Sequence, residues 1–281
     1  MERNKDHFLF EGLDHLVTQE RFKVYWDTNR EVAWTDIELN QPMNRYYDSA
    51  AYDSHKGKRK SVLDALYGLV QQFMFRYKWS KITAHKQDFK NHLDFGGGMG
   101  GFSAHTQSKG LETVIIENND KALAFLKDAG KTAHKNLTDL KPNESFDLIT
   151  LWHVLEHIPN PIETLENLYN RLNQQGLLVV AVPNFKALDA QHYSSYWAGY
   201  DLPRHLWHFS TPGLGALLQQ IGFQPIAQYP LFFDAFYVAL LSERNKIGKH
   251  QFFSAFYQGL RSNLAALKTN NYSSSFFVWT K

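Results

Sequence analysis

The sequence contains no cysteine, which excludes a disulfide framework, a thiolate nucleophile and a cysteine-ligated zinc. That absence fits a reducing compartment. A long apolar run is missing as well. No window approaches the roughly 20 uninterrupted apolar residues of a membrane-crossing helix, and the patch 231–241 is short and broken by Asp234. The first 16 residues carry charges throughout and have no apolar secretory core. Neither sign of charge prevails: Lys+Arg 30 against Asp+Glu 28 leave +2, which gives no ground for a nucleic acid or an acidic membrane as partner. The expectation is a soluble, cytoplasmic protein. What is present is core-forming material, with 43% hydrophobic and 15% aromatic residues in 281, enough for one large or two unequal domains.

Three textures follow one another. In the first 60 residues, 8–10 and 22–26 read as short strands, followed by a polar stretch with Tyr46, Tyr47, Tyr52 and His55 and the basic run 56–60, read as a solvated face. Val62, Leu66, Leu69, Val70, Phe73 and Tyr77 recur at helical spacing and predict an amphipathic helix over 61–79. Between 92 and 229, apolar runs at 92–95, 113–116, 146–151 and 177–182 alternate with helical patterns near 101–109, 120–129 and 161–173. That alternation predicts a doubly wound, mostly parallel α/β sheet. A helix over 212–221, a strand over 223–229, two helices over 232–243 and 250–268 and a last strand over 275–280 complete the reading. The apolar faces of those two late helices suit either a wall of an acceptor pocket or a dimer contact.

The segment Leu93-Asp-Phe-Gly-Gly-Gly-Met-Gly-Gly-Phe102 carries the most chemistry. Glycines directly after a strand let the backbone turn sharply and bring a ligand against the N-terminus of the next helix. Gly96, Gly98 and Gly101 also satisfy G-x-G-x-x-G, so the turn alone does not separate a dinucleotide from another nucleoside cofactor. Asp94, two residues ahead of the turn, would repel a pyrophosphate and suits an ammonium group. Glu117, closing the next strand, is placed to accept both hydroxyls of a ribose.

Asp94-Phe-Gly-Gly-Gly-Met-Gly100 resembles the D-x-G-x-G-x-G motif of class I S-adenosylmethionine (SAM)-dependent methyltransferases. In the same order, 146–161, 176–184 and 203–210 resemble the fourth-strand, fifth-strand and post-core segments of the subgroup called methyltransferase domain 23. The resemblance implies a Rossmann-like seven-stranded sheet with an antiparallel last strand. It divides the chain into an N-terminal mixed extension, 1–80, over the cofactor edge and a SAM-binding domain, 81–281, with a helical insertion at 232–268. It implies SAM as cofactor and a small-molecule methyl acceptor. Asp94, Gly96, Gly98 and Gly100 would cradle the methionine part, Glu117 and Asn118 would lie at the ribose, Asn136 and Leu137 would flank the adenine, and Trp152 and His153 would border the methionine. Many members carry a Cys-x-x-Cys knuckle that this chain lacks, so no structural zinc is expected.

Residues 153–157 also spell the zinc-peptidase pattern H-x-x-E-H, but His153 directly follows a buried strand and Pro159 interrupts the helix that pattern needs. The ubiquinone-type O-methyltransferases have acids in this segment, and histidine at 153 departs from them; the expectation is no metal. If the acceptor needs a general base, His157 and His205 are the candidates, with His208 beside them. His205 and His208 fall in an aromatic-rich stretch, with Tyr193, Tyr196, Trp197 and Trp207, expected to overhang the acceptor pocket. His157 suits a purely structural bond to backbone equally well. Two other functions fit the same turn: a nicotinamide-dependent oxidoreductase, and a SAM-fold binding protein without catalysis.

Overall fold

The computed structural model describes residues 7–38, 43–47 and 62–281; Tyr52, His55 and the basic run 56–60 lie outside them. The chain opens with an antiparallel meander, β1 (Phe8–Leu13), β2 (Arg21–Asp27) and β3 (Val32–Thr35). The β1–β2 loop is held by the buried carboxylate of Asp14, which accepts the N–H groups of Leu16, Val17 and Thr18 at 3.1, 3.1 and 2.9 Å. The expected amphipathic helix is α1 (Val62–Thr83).

The alternating region then runs β4 (Asn91–Phe95), α2 (Gly101–Gln107), β5 (Glu112–Ile116), α3 (Asp120–Asp128), β6 (Ala133–His134), β7 (Phe146–Trp152), α4 (Pro161–Arg171), β8 (Leu172–Pro183), α5 (Leu188–Tyr193), β9 (Trp207–Phe209), α6 (Thr211–Ile221), β10 (Gln224–Pro230), α7 (Phe232–Ile247), α8 (Phe252–Thr269) and β11 (Ser274–Thr280). The main sheet has seven strands in the order β10-β11-β8-β7-β4-β5-β6. Its strands from β8 to β6 are parallel, and β11 inserts antiparallel between β10 and β8. This is the doubly wound sheet read from the sequence, with the last strand beside 223–229.

Both faces of that sheet are covered, which is why its central strands are near-continuous apolar runs. Along β7 and β8, Ile149, Leu151, Leu178 and Val180 point to one layer with Leu165, Leu168, Leu214 and Leu218 of α4 and α6. Leu148, Leu177, Val179 and Ala181 point to the other, against Phe75 and Ile82 of α1 and Phe276 and Val278 of β11.

The N-terminal strands do not form a unit of their own. Their sheet has the order β1-β2-β3-β9, and its fourth strand comes from 207–209. The aromatic-rich stretch is therefore not an overhanging loop, and this corrects the sequence expectation. Trp197, Trp207, Tyr193, His205 and His208 are buried where the small sheet meets the large one; Tyr196 is exposed. Thr35 fastens the joint, donating its hydroxyl to the His205 carbonyl at 2.7 Å, with the His208 Nε2 3.0 Å away.

Candidate functional site

After β4 the chain builds β5 and β6 on one side and returns to place β7 on the other. A crevice opens at such a switch point, outside the carboxyl ends of the strands. Into this edge the fold brings the glycine turn after β4, Glu117 after β5, Asn136 and Leu137 after β6, and Trp152 and His153 at the end of β7.

The turn is built by left-handed glycines. Gly96, at φ +73, gives its N–H to the Ile116 carbonyl at 2.7 Å, and a Cβ there would strike Val154 Cγ2 at 2.4 Å. Gly98, at φ +56, is different: a Cβ would meet nothing within 4 Å. Its N–H is taken at 2.7 Å by one Glu117 oxygen, while the other accepts the Asn119 N–H at 2.7 Å. Glu117 is thus tied to the turn through the Gly98 N–H, beside its open side. Asn118 beside it is exposed, as is Asn136, whose N–H goes to Asp139 at 2.9 Å; Leu137 is half-buried against the core.

Asp94 is the most enclosed of the turn's acids. It is 1% exposed and lies beneath the turn, accepting the Ser103 hydroxyl at 2.5 Å and the Thr150 hydroxyl at 2.7 Å. Its carboxylate thereby orders the turn from below. Behind Thr150 stands buried His92, with Nε2 2.8 Å from the Thr150 hydroxyl and Nδ1 2.9 Å from that of Thr106. Burial pushes the His92 pKa down to about 4, against the pull of Asp94, so the ring is neutral.

Trp152 is half-buried, edge-on to Phe102 and Phe276 at 4.9 and 5.5 Å between centroids, with the Lys78 ammonium 3.8 Å above its ring. Burial lowers the Lys78 pKa to about 8, with Asp234 and Asp94 opposing. His153, at φ +56, turns its ring between Asp234 (Nε2–Oδ2 3.1 Å) and Glu156 (Nδ1–Oε1 3.5 Å). Burial alone would lower its pKa; hydrogen bonds to the two carboxylates reverse this and raise it to about 9. A histidine raised above its ordinary 6.5 stabilises the fold fully below that pH and progressively less as pH rises through 9. Asp234→Asn should therefore flatten the fall in melting temperature between those two pH values. Equal slopes for the variant and the wild type would refute the pairing.

His157 and His205 pack edge-to-face, 4.6 Å between centroids. His157 holds the Arg204 carbonyl through Nδ1 at 2.9 Å, and His205 holds that of Gly199 at 2.9 Å. Both rings are thereby fixed with Nε2 free of the backbone. Burial, reinforced by His157, pushes the His205 pKa down to about 4, which leaves it a weak base. Glu156 between them is 1% exposed, with His153 Nδ1 3.5 Å from its Oε1. Burial opposes its ionisation, but the neighbouring histidines keep its pKa low. Among the described residues, Glu156, His157 and His205 are the group whose ligand atoms, within 4.8 Å of one another, are placed to hold a metal ion. The turn at 155–157 is a single 3-10 turn, not the sustained helix that the zinc-peptidase pattern needs.

Lys78, Asp234, Ser103 and Thr150 were not read from the sequence. Asp234 had a signal, a lone acid inside an apolar run; the other three had none.

A ubiquinone biosynthesis O-methyltransferase of Rickettsia canadensis is 24% identical over 124 residues, covering 41% of this chain and 52% of the relative. Another from Glaesserella parasuis is 29% identical over 108 residues, 34% of this chain and 46% of the relative. The chain thus spans about half the length of these curated relatives. Among solved structures, a SAM-dependent methyltransferase from Archaeoglobus fulgidus superposes with TM-score 0.52 at 16% identity, covering 76% of this chain and 94% of that one. One from Thermotoga maritima gives TM-score 0.51 at 16% identity, covering 77% and 94%. At these identities the likeness is one of fold. The family model described as "Methyltransferase domain" matches residues 70–228, more than half of the chain, and the crevice described above lies within that span: the protein belongs to the methyltransferase-domain family.

Proposed function

We propose that the protein transfers a methyl group from SAM to an oxygen, nitrogen or carbon atom of a small molecule. The observation that carries this reading is the pairing of Gly98 with Glu117. The Gly98 N–H is held by the carboxylate of Glu117 from the next strand, and beside it a side chain at Gly98 would meet nothing within 4 Å. This is a cradle shaped for a nucleoside with a polar tail. Gly96, Gly98 and Gly100 would line the tail, Glu117 and Asn118 the ribose, Asn136 and Leu137 the base, and Trp152 and His153 the far side.

When bound, SAM supplies a methyl group already activated on a sulfonium, so the chain's task is to hold an acceptor in line with it. Asp94, through Ser103 and Thr150, keeps the turn in place. The Asp234–His153–Glu156 set fixes the end of β7. His157, half-exposed and anchored through Nδ1, would take a proton from an acceptor that needs a base. His205 supports its ring from behind.

Calorimetry tests the reading. The demethylated product S-adenosylhomocysteine is expected to bind, and Glu117→Ala to weaken it roughly 10- to 100-fold, the loss of charge-assisted hydrogen bonds. No binding by the wild type, or binding of NADH in its place, would overturn the assignment.

A further inference from the structure

The pair α7 and α8 is built with its small residues inward and its large ones outward. Ala235, Ala239 and Ser242 of α7 and Ala255, Gly259, Ser262 and Ala266 of α8 are buried. The contact is close: a Cβ on Gly259 would lie 2.7 Å from the Phe236 ring. Polar contacts lock the rotation of both helices. Ser262 donates to Asp189 at 2.7 Å, Ser242 accepts the Ala198 N–H at 2.8 Å, and Glu243 accepts the hydroxyls of Tyr193 and Ser254.

What is left outside is apolar. Phe253 is 93% exposed, and Phe252, Phe256, Tyr257, Leu264 and Leu267 are each more than half exposed. The face continues onto α1, where Phe73 meets Phe233 at 6.1 Å and Leu69 is 70% exposed. A patch of this extent marks an interaction surface.

Charge decides what covers it. Arg244, Lys246, Lys249, Arg261 and Lys268 belong to this hairpin and its turn. Its two acids do not offset them: Glu243 is buried and Asp234 is turned to His153. Two copies placed face to face would oppose like charges. Apolar side chains with a basic fringe match the headgroup and upper acyl region of an anionic bilayer. Among the described residues no helix is long and apolar enough to cross a membrane. We propose that the outer face of α7 and α8, with Leu69 and Phe73, seats the protein in the surface of an anionic membrane without spanning it. The balanced net charge had given no reason for a membrane partner, because averaging over the chain conceals a local excess. Since Asp234 reaches the site from the first turn of α7, docking brings the crevice close to the bilayer. The proposal does not depend on the cofactor.

Flotation with phosphatidylcholine vesicles, with and without phosphatidylglycerol, tests it. Wild type should float with the anionic vesicles and be released by salt. Lys246→Gln with Lys249→Gln should lower partitioning roughly 10- to 30-fold, and Phe253→Glu with Phe256→Glu should abolish it while the circular dichroism stays unchanged. The proposal is overturned by no flotation on anionic vesicles, by binding indifferent to salt and to the lysine pair, or by a dimer that Phe253→Glu dissociates with no vesicle binding.

Discussion

Arg204→Met is expected to destabilise the fold by about 3–5 kcal/mol, the cost of removing one partner from a buried ion pair. Arg204 is 1% exposed and Asp14 is fully buried. The guanidinium reaches Asp14 at 3.1 Å and Asp201 at 2.8 Å, and donates to the carbonyls of Tyr46 at 2.9 Å and Leu202 at 3.2 Å. Against the burial that would lower it, the two carboxylates raise its pKa still further above its ordinary value. One side chain thus ties the β1–β2 loop, the turn at 43–46 and the stretch before β9 to one another. Removing it takes the cation from two carboxylates, one of them fully buried, and frees two carbonyls. Urea unfolding reads the change as a shift in midpoint at unchanged slope. Arg204→Lys should lie between the two, keeping the charge and losing the planar fork. Asp14→Asn combined with Arg204→Met should cost less than the sum of the single variants, because the fully buried carboxylate is then removed together with its partner. A loss under about 1 kcal/mol for Arg204→Met would place the network among weak surface pairs.

That network also shows where sequence reading stops. The strands and helices with several periodic residues, from α1 to β11, were legible, since burial on two faces or one stripe leaves a repeating pattern. The strands β3, β6 and β9 were not. Val32–Thr35 is buried at all four positions and Trp207–Phe209 at all three, too short to show a period. Their pairing joins residues some 170 positions apart, and no local signal announces it. His205 and His208 were read as loop histidines for the same reason. Imidazole suits a solvated base and a buried hydrogen-bonding ring equally, and only the tertiary contacts to Gly199 and Thr35 distinguish them. Asp94 is the instructive case at the site. Its spacing before the glycines is visible, but the direction of its carboxylate is set by Ser103 on α2 and Thr150 on β7. The glycines and Glu117 carried their geometry in the sequence, because backbone sign and strand end are local properties. The outward face of α8 was half legible: its apolar spacing was plain, while the choice of small residues for the packed side emerges only when Gly259 meets Phe236.

Gly96→Ala and Gly98→Ala should separate the part of the turn that holds the protein together from the part that faces a ligand. Both positions have left-handed backbone, at φ +73 and +56, which costs an alanine about 1–2 kcal/mol. At Gly96 the new methyl also lands 2.4 and 2.7 Å from the two Val154 methyls, and overpacking of that kind adds roughly 1–3 kcal/mol. Val154 belongs to the turn that positions Glu156 and His157, so it has little room to yield. Gly96→Ala is therefore expected to unfold at a clearly lower urea midpoint, whatever ligand is present. At Gly98 no protein atom opposes the methyl within 4 Å, and the stability loss should stop at the backbone term. The methyl would instead project into the open space beside the turn. Affinity for S-adenosylhomocysteine should fall roughly 10- to 100-fold, equal to about 1.4–2.8 kcal/mol, in a protein whose melting is only slightly altered. Calorimetry and urea titration on the same two variants give four numbers that must cross: large stability loss for the first, large affinity loss for the second. If Gly98→Ala binds as tightly as wild type, the open side of the turn is not the face a nucleoside cofactor uses, and the order imposed by Asp94, Ser103 and Thr150 serves the fold alone.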